Sequence, residues 1–419
     1  MSSPSRASIV AVVLFFAFCA VLARQVQVQG QGRGRGQTAP LPDGPGKDLV
    51  QTQCSTCHSL SLIANSGGYS RDGWVELFST MVALQPNDRA TVADYLAKNF
   101  PETPRPAPVI ISGPARVNIR EWVVPTLGSR PHDPEPGPGG TIWWTGMFAN
   151  VLGRFDPKTE TFKEYPAKTA GSGPHGLEFD SAGNLWFTAN SKGYIGKLDP
   201  KTGDVVEYKL PDDVRDPHTP LFAPNGMLFF TAQNANYIGR LNPKTGEIKL
   251  QKTPTDRANP YGMVMTSKGI PVVCDFGTNK IIEINPETLA IKEHLLPHAD
   301  SRPRRIAIAP DDTIWYADYS RGFLGRLNLA TDEAAEWPSP SGPTSQPYGI
   351  VYLKDAVWYV ESAIKPNVLV RFDPATQKFQ TWIIPGGGGV VRNIKATPDG
   401  NIVMAESGVN KIALVEVGR

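Results

Sequence analysis

The chain has 419 residues, more than one average domain, with 42 Lys and Arg against 40 Asp and Glu. A formal charge of +2 gives no general electrostatic case for binding nucleic acid. Forty glycines and 39 prolines point to many turns.

Arg6 precedes "SIVAVVLFFAFCAVLA", an apolar run ending in the small-residue stretch "VLA" at Ala23. This pattern reads as a signal peptide over residues 1–23. The run is shorter than the roughly 20 residues of a spanning helix, and Cys19 lies inside it. The expectation is a periplasmic or secreted protein, without stable membrane insertion once the signal is cleaved. Residues 24–46, rich in Gln, Gly and Pro, read as a flexible leader.

Next comes "QTQCSTCHSL", with Cys54, Cys57 and His58. A four-cysteine zinc site needs a second pair, and outside the signal only Cys274 remains. A disulfide between Cys54 and Cys57 leaves His58 unexplained. The C-x-x-C-H spacing accounts for all three residues: the two thiols attach a haem covalently and His58 is an axial ligand to its iron. Downstream, "DGWVELFSTMVAL" and "DRATVADYLAKNF" carry apolar residues at helical spacing, including Trp74, Phe78, Val92, Tyr95 and Leu96. Residues 47–101 resemble the short class I cytochrome c domains, a small all-α fold. Met81 is the only Met between residues 2 and 146. The resemblance makes it the second axial ligand to a single haem c, a pairing that suits electron transfer.

Residues 102–114, "ETPRPAPVIISGP", read as a semi-rigid Pro-rich linker. Beyond it the chain repeats. Aligning "RPHDPEP", "GPHGLEF", "DPHTPLF", "NPYGMVM", "RPRRIAI", "QPYGIVY" and "VVRNIKA" puts His132, His175, His218, Tyr261, Arg304, Tyr348 and Arg392 at one position, 43 or 44 residues apart. Four short strands per unit predict an all-β seven-bladed β-propeller over residues 115–419. The last unit stops after three strands, and "NIREWVVP" near the front has the pattern of the missing one. Docking it there closes the ring. "PHGLEFDSAGNLWFTANSKGYIGKLDPKTG" resembles the blade repeat of the streptogramin lyases, the virginiamycin B lyase family. The expected fold is therefore multidomain, a small cytochrome followed by a propeller.

The repeat position lies where each innermost strand begins, at a channel mouth. A residue 13 or 14 positions later returns to the same mouth: Gly146, Ala189, Ala232, Asp275, Asp318, Glu361 and Glu406. Tyr261, Arg304, Tyr348 and Arg392 thus have same-blade acids and read as rim pairs. His132, His175 and His218 have none. They are the candidate catalytic residues, as acid–base groups or as ligands of a second metal ion. Arg304 and Arg392 are candidate binders of an anionic small molecule. The resemblance implies a histidine working with a glutamate 14 residues later and a nearby Mg²⁺, and here the His blades lack that acid. Cys274, in the slot of Thr188 and Thr231, reads as a buried strand thiol, and His294 and His298 as surface residues.

The reading is an exported c-type cytochrome, an oxidoreductase that exchanges electrons between a periplasmic redox partner and a ligand or metal at the propeller mouth. Two alternatives stand beside it: a lyase or lactone-opening enzyme with an accessory cytochrome, and a non-catalytic docking propeller that carries the haem.

Overall fold

A computed structural model describes residues 41–56, 59–104 and 106–418. The signal segment, nearly all of the leader, Cys57 and His58 lie outside the described residues. Runs of alternating apolar side chains broken by turns give 28 strands, which pair into seven four-stranded sheets. The seven-bladed propeller is therefore as expected.

The second blade shows the rule. Its inner strand Pro174–Phe179 and second strand Leu185–Ala189 are largely buried, Tyr194–Leu198 follows, and the outer strand Val205–Lys209 alternates exposed and covered residues. The glycine of the recurrent "YIGKL" is a packing requirement. A Cβ on Gly196 would come within 2.2 Å of Phe187, and one on Gly239 within 2.0 Å of Phe230. In blades one, two, three and five the aromatic ring of the second strand lies across a glycine of the third.

The ring closes as the sequence predicts. Strand Val117–Val123 pairs antiparallel with Lys411–Val417, with Val117 opposite Val417. Beneath this seam Val124, Ile142, Trp144, Phe155, Val403 and Ile412 form one core joining the first and last blades. Closure removes the open sheet edges that invite aggregation.

The Pro-rich stretch is fastened rather than free. Ile111 N–H donates to Thr381 Oγ1 at 2.7 Å, and Ile111 C=O accepts from Thr381 N–H at 3.0 Å. Thr381 Oγ1 also donates to the Val109 carbonyl at 2.7 Å. The segment thus lies along the outer strand Lys378–Ile383 of the sixth blade.

Four short helices precede it: α1 (Lys47–Cys54), α2 (Ser61–Ala64), α3 (Arg71–Ser79) and α4 (Pro86–Asn99). Ser70 caps α3 by accepting from Gly73 N–H, and Pro86 opens α4 at the position where its missing N–H costs nothing. Trp74 and Phe78 pack on Val92, Ala93, Tyr95 and Leu96, and Trp74 Nε1 donates to the Phe100 carbonyl at 3.0 Å. Met81 lies just past α3. Among the described residues no helix is long and apolar enough to cross a membrane.

Gly239→Ala should destabilise the propeller by about 1–3 kcal/mol through overpacking against Phe230, read as a lowered denaturant midpoint at unchanged slope.

Candidate functional site

Each inner strand starts with a β-bulge. Between Pro174 and Leu177 three steps along the inner strand face two along its neighbour, Ala189 to Phe187; five other blades repeat this, and in blade five the shift falls between Pro303 and Arg305. The bulge frees a backbone N–H, which a hydroxyl of the second strand accepts: Asp133 N–H bonds Thr145 Oγ1 at 3.1 Å and Gly176 N–H bonds Thr188 Oγ1 at 2.9 Å. The same hydroxyl then donates to the next blade. Thr145 reaches the His175 carbonyl at 2.7 Å, Thr188 the His218 carbonyl at 2.8 Å and Thr231 the Tyr261 carbonyl at 3.1 Å. Cys274 takes this slot in blade four, its thiol donating to the Arg304 carbonyl at 3.0 Å. Burial pushes that thiol up to about 12, so it stays a protonated donor. The expected buried strand thiol is present and has a structural task.

The ring position is therefore pinned blade by blade. His132, His175, His218 and Tyr261 stack in sequence, with ring centroids 3.7, 3.9 and 3.8 Å apart. The structure brings the three histidines together as a tilted stack. Burial first, and then neighbouring charge, holds all three imidazoles well below their ordinary pKa, so they are neutral. His175 Nδ1 and His218 Nε2 are buried without a hydrogen-bond partner.

The rim pairs expected within blades do not form. Pro303 faces Asp318 and Pro347 faces Glu361 across the ladder, one position before Arg304 and Tyr348. Neighbours along a strand point to opposite faces, so each acid leaves on the proline's face, away from the ring residue. Asp318 instead accepts from Arg302 N–H at 3.0 Å and Arg321 Nη1 at 3.1 Å. Glu361 accepts from Ser341 N–H at 2.8 Å and Ser339 Oγ at 2.6 Å. Among the described residues the carboxyl oxygens of Asp275 have no hydrogen-bond partner, and burial raises the carboxyls of Asp275 and Glu406 well above their usual range.

Arg304 is caged by aromatic rings: its guanidinium carbon lies 3.9 Å from the Tyr348 centroid, 4.4 Å from Tyr319 and 4.6 Å from Phe276. Tyr261 and Tyr348 share a hydrogen bond between their hydroxyls. One position further along, Asp133, Arg305 and Asn393 meet across the channel. Arg305 Nη2 bonds both Asp133 oxygens at 2.9 and 3.0 Å, and Asn393 Nδ2 bonds one of them at 3.2 Å. The sequence reading missed this layer. Its signal was present, because that position is Gly in blades two, four and six and changes to Asp, Thr, Arg or Asn elsewhere. At the far end Lys395 bonds Glu178 at 2.8 Å and also Glu135, whose carboxyl burial pushes up to about 8.

Donor atoms of His132, Asp133 and His175 lie within 4.8 Å of one another. Asp133 is already taken by Arg305 and by His132 Nδ1 at 2.9 Å. Buried Arg304, Arg305 and Arg392 also make the mouth positive, so the donor set fits a second metal cation poorly.

The helices meet the propeller on this same face. Gly128 N–H, just before the first inner strand, donates to the Thr80 carbonyl at 2.9 Å, and a Cβ there would lie 3.1 Å from the Met81 carbonyl oxygen. Lys365 Nζ donates to the Gly68 carbonyl at 3.1 Å and lies 3.3 Å from the Tyr69 ring centroid. His294, expected at the surface, is 1% exposed and bonds Asp332 and Glu283, the latter at 2.8 Å. Its outer-strand register turns the imidazole inward. The side chain of His298 is 52% exposed, as expected.

A histidine kept neutral by burial takes up a proton on unfolding. Its contribution is complete above the unfolded pKa of about 6.5 and declines as pH falls towards the lower folded value. Each of the three should give up to about 1.4 kcal/mol of lost stability per pH unit in that window. A chain with His132, His175 and His218 all changed to Gln should show a flatter fall in unfolding temperature below about pH 6.5.

Residues 111–359 match the model of the virginiamycin B lyase family. Among solved structures, selenomethionine-substituted virginiamycin B lyase from Staphylococcus aureus is 24% identical, covers 72% of this chain and 99% of its own, and has a TM-score of 0.66. A catalytically inactive variant of that lyase with quinupristin gives the same identity, coverages and score. Hydrazine synthase from Kuenenia stuttgartiensis aligns at 12% identity over 70% of this chain and 96% of its own, with a TM-score of 0.57. These structural likenesses establish the fold. No curated protein sequence matches.

Proposed function

Because this chain belongs to the virginiamycin B lyase family, we propose that its propeller binds a small ligand at the mouth ringed by His132, His175, His218, Arg304 and Arg392, and that a c-type haem on the same chain exchanges electrons with that ligand. The observation that carries the reading is the contact of the helical segment at Thr80 and Met81 with Gly128, four residues before His132. A haem-bearing segment fastened at this mouth is suited to redox work, whereas eliminative ring opening has no use for one.

The residues present fit a covalent haem. Cys54 ends α1 and packs at the edge of the cluster built by Trp74 and Phe78, and Met81 follows α3 as a half-buried thioether. Cys57 and His58 supply the rest of the donor set. A haem bound there would supply one-electron chemistry, with Cys54 and Cys57 holding it covalently and His58 and Met81 as ligands to its iron. At the mouth, neutral imidazoles can accept or pass a proton, and the guanidinium groups orient an anionic ligand. A redox partner then docks on the helices from the outside.

Changing Cys54 and Cys57 together to Ser should abolish haem that stays with the denatured polypeptide. Met81→Ala should keep the covalent haem and lower its midpoint potential, since a Met ligand raises it. Compounds that reduce or reoxidise the haem should do so in the wild-type chain and fail in a His132/His175/His218→Ala triple variant with an unchanged haem spectrum. Full turnover in that variant would sink the reading.

Family membership favours a second reading, lyase action on a cyclic ester. Against it stands the lack of a same-blade acid: the residues 14 positions beyond the three histidines are Gly146, Ala189 and Ala232. A streptogramin B depsipeptide should stay closed when incubated with the chain. Ring opening without haem or electron acceptor would decide for the lyase.

A further inference from the structure

One outer-strand position carries an aromatic residue in five blades, as Trp122, Tyr165, Tyr208, Trp337 and Trp382, and Gln251 in blade three. Trp337 and Trp122 use it to reach the following blade, at the turn between that blade's third and outer strands. Trp337 Nε1 donates to Gln377 Oε1 at 3.1 Å, and Trp122 Nε1 to Glu160 Oε1 at 3.4 Å. In blade four the position is His294, and its partner at the corresponding turn of blade five is Asp332. A second change accompanies it. The third-strand position that is Arg154, Lys197, Arg240, Arg326 or Arg371 in five other blades is Glu283 here. An aromatic tie beside a basic residue has thus become an imidazole between two acids, at one blade boundary alone.

His294 Nδ1 meets an Asp332 carboxylate oxygen, and Nε2 meets Glu283 Oε2 at 2.8 Å. The His294 side chain is 0% exposed, so solvent cannot replace either carboxylate. A neutral imidazole has one N–H and would turn a lone pair towards one of the two acids, whereas the imidazolium donates to both. The charged groups facing the ring are Glu283 from the third strand, Lys292 from its own strand and Asp332 from blade five, and Lys292 also bonds Glu283 at 3.4 Å. With the imidazole doubly protonated these four groups carry no net charge. The hydrogen bond from His294 holds the Asp332 carboxyl below its usual range.

We propose that His294 is a pH-sensitive clasp between blades four and five, closed while its imidazole is doubly protonated and released when it gives one proton to solvent. Above the ordinary histidine value of about 6.5 a closed clasp holds one proton more than an opened one, so it weakens as pH rises past that value. Asp332 sets the acid limit: its contribution is complete above the ordinary carboxylate value of about 3.9 and declines below it. The movement is local. Asn328, Leu329 and Ala330 of the Asp332 turn, with Glu283 and Lys292, border a cavity of about 440 Å³ between the two blades, so the turn has space to move into. This device is independent of the haem and of the channel mouth.

The test is hydrogen exchange in the full chain at the Asn328 and Asp332 amides, both hydrogen-bonded within the turn. Rates are compared at each pH with Asp332→Asn, so that the chemical pH dependence of exchange cancels. An Asn amide can donate to Nδ1 of a neutral imidazole while Nε2–H still serves Glu283, so this variant no longer needs the second proton. Relative to it, exchange in the wild-type turn should quicken by about tenfold per pH unit above roughly pH 6.5. Ring-nitrogen spectra of labelled histidine, assigned with His294→Gln, should show both His294 nitrogens protonated at pH 5.5. The double variant His294→Trp with Asp332→Gln copies the Trp337–Gln377 pair and should keep the turn protected without the pH dependence, which supplies a second comparison if His294→Gln does not fold. An unprotonated ring nitrogen at pH 5.5, or the same pH dependence in the wild-type chain and Asp332→Asn, would overturn the proposal.

Discussion

The bulge at the start of each inner strand, with the side chain that answers it, organises the molecule. One extra residue turns the ring position into the channel and frees a backbone N–H. In blades one to four a threonine hydroxyl or the Cys274 thiol accepts that N–H and donates to the neighbouring blade's carbonyl. Between the last blade and the first the equivalent slot holds Ala405, and Ser407 makes a different tie, donating to the Pro131 carbonyl at 2.6 Å. The bond that knits these blades is thus the bond that holds His175 and His218. Stability and site geometry cannot be varied independently here.

That coupling leaves little freedom in how the mouth can be arranged. A same-blade histidine and acid would need the acid to share the ring residue's face. The ladder register places each acid opposite the residue before the ring position instead, where Asp318 and Glu361 brace loops. What remains inside is a layer of neutral rings and guanidinium groups crossed by the Asp133–Arg305 bridge. Electrostatically this layer is positive, and a cation at Asp133 would have to displace Arg305.

Much of the fold was legible in the sequence because a repeat reports its own geometry. The 43-residue spacing, the three-strand final unit and the strand-like "NIREWVVP" were enough for blade count and closure. Cys274 was legible because it replaces a threonine in register. The site was less so. Pairing Arg304 with Asp318 from their spacing assumed a regular ladder, and the bulge is invisible to residue counting. His294 was misjudged because its partners, Glu283 on the adjacent strand and Asp332 in the next blade, are brought to it by the fold rather than by the chain around it. Asp133, Arg305 and Asn393 converge from three blades, a meeting that only the closed ring produces. The Pro-rich stretch had the composition of a spacer, but the acceptor and donor at Thr381 turn it into a short pairing segment.

The seam between Val117–Val123 and Lys411–Val417 joins the earliest part of the propeller to the latest. A ribosome delivers the first of these strands long before its partner exists, so the ring has no native way to shut until almost the whole chain is made. Contacts of such sequence separation are slow to form. Meanwhile the apolar face that will cover Trp144 and Ile412 stays open. Production of this protein should therefore be governed by what shields the waiting strand, and a chain shortened by one strand at its C-terminus is exposed to proteolysis and self-association rather than to a modest loss of stability.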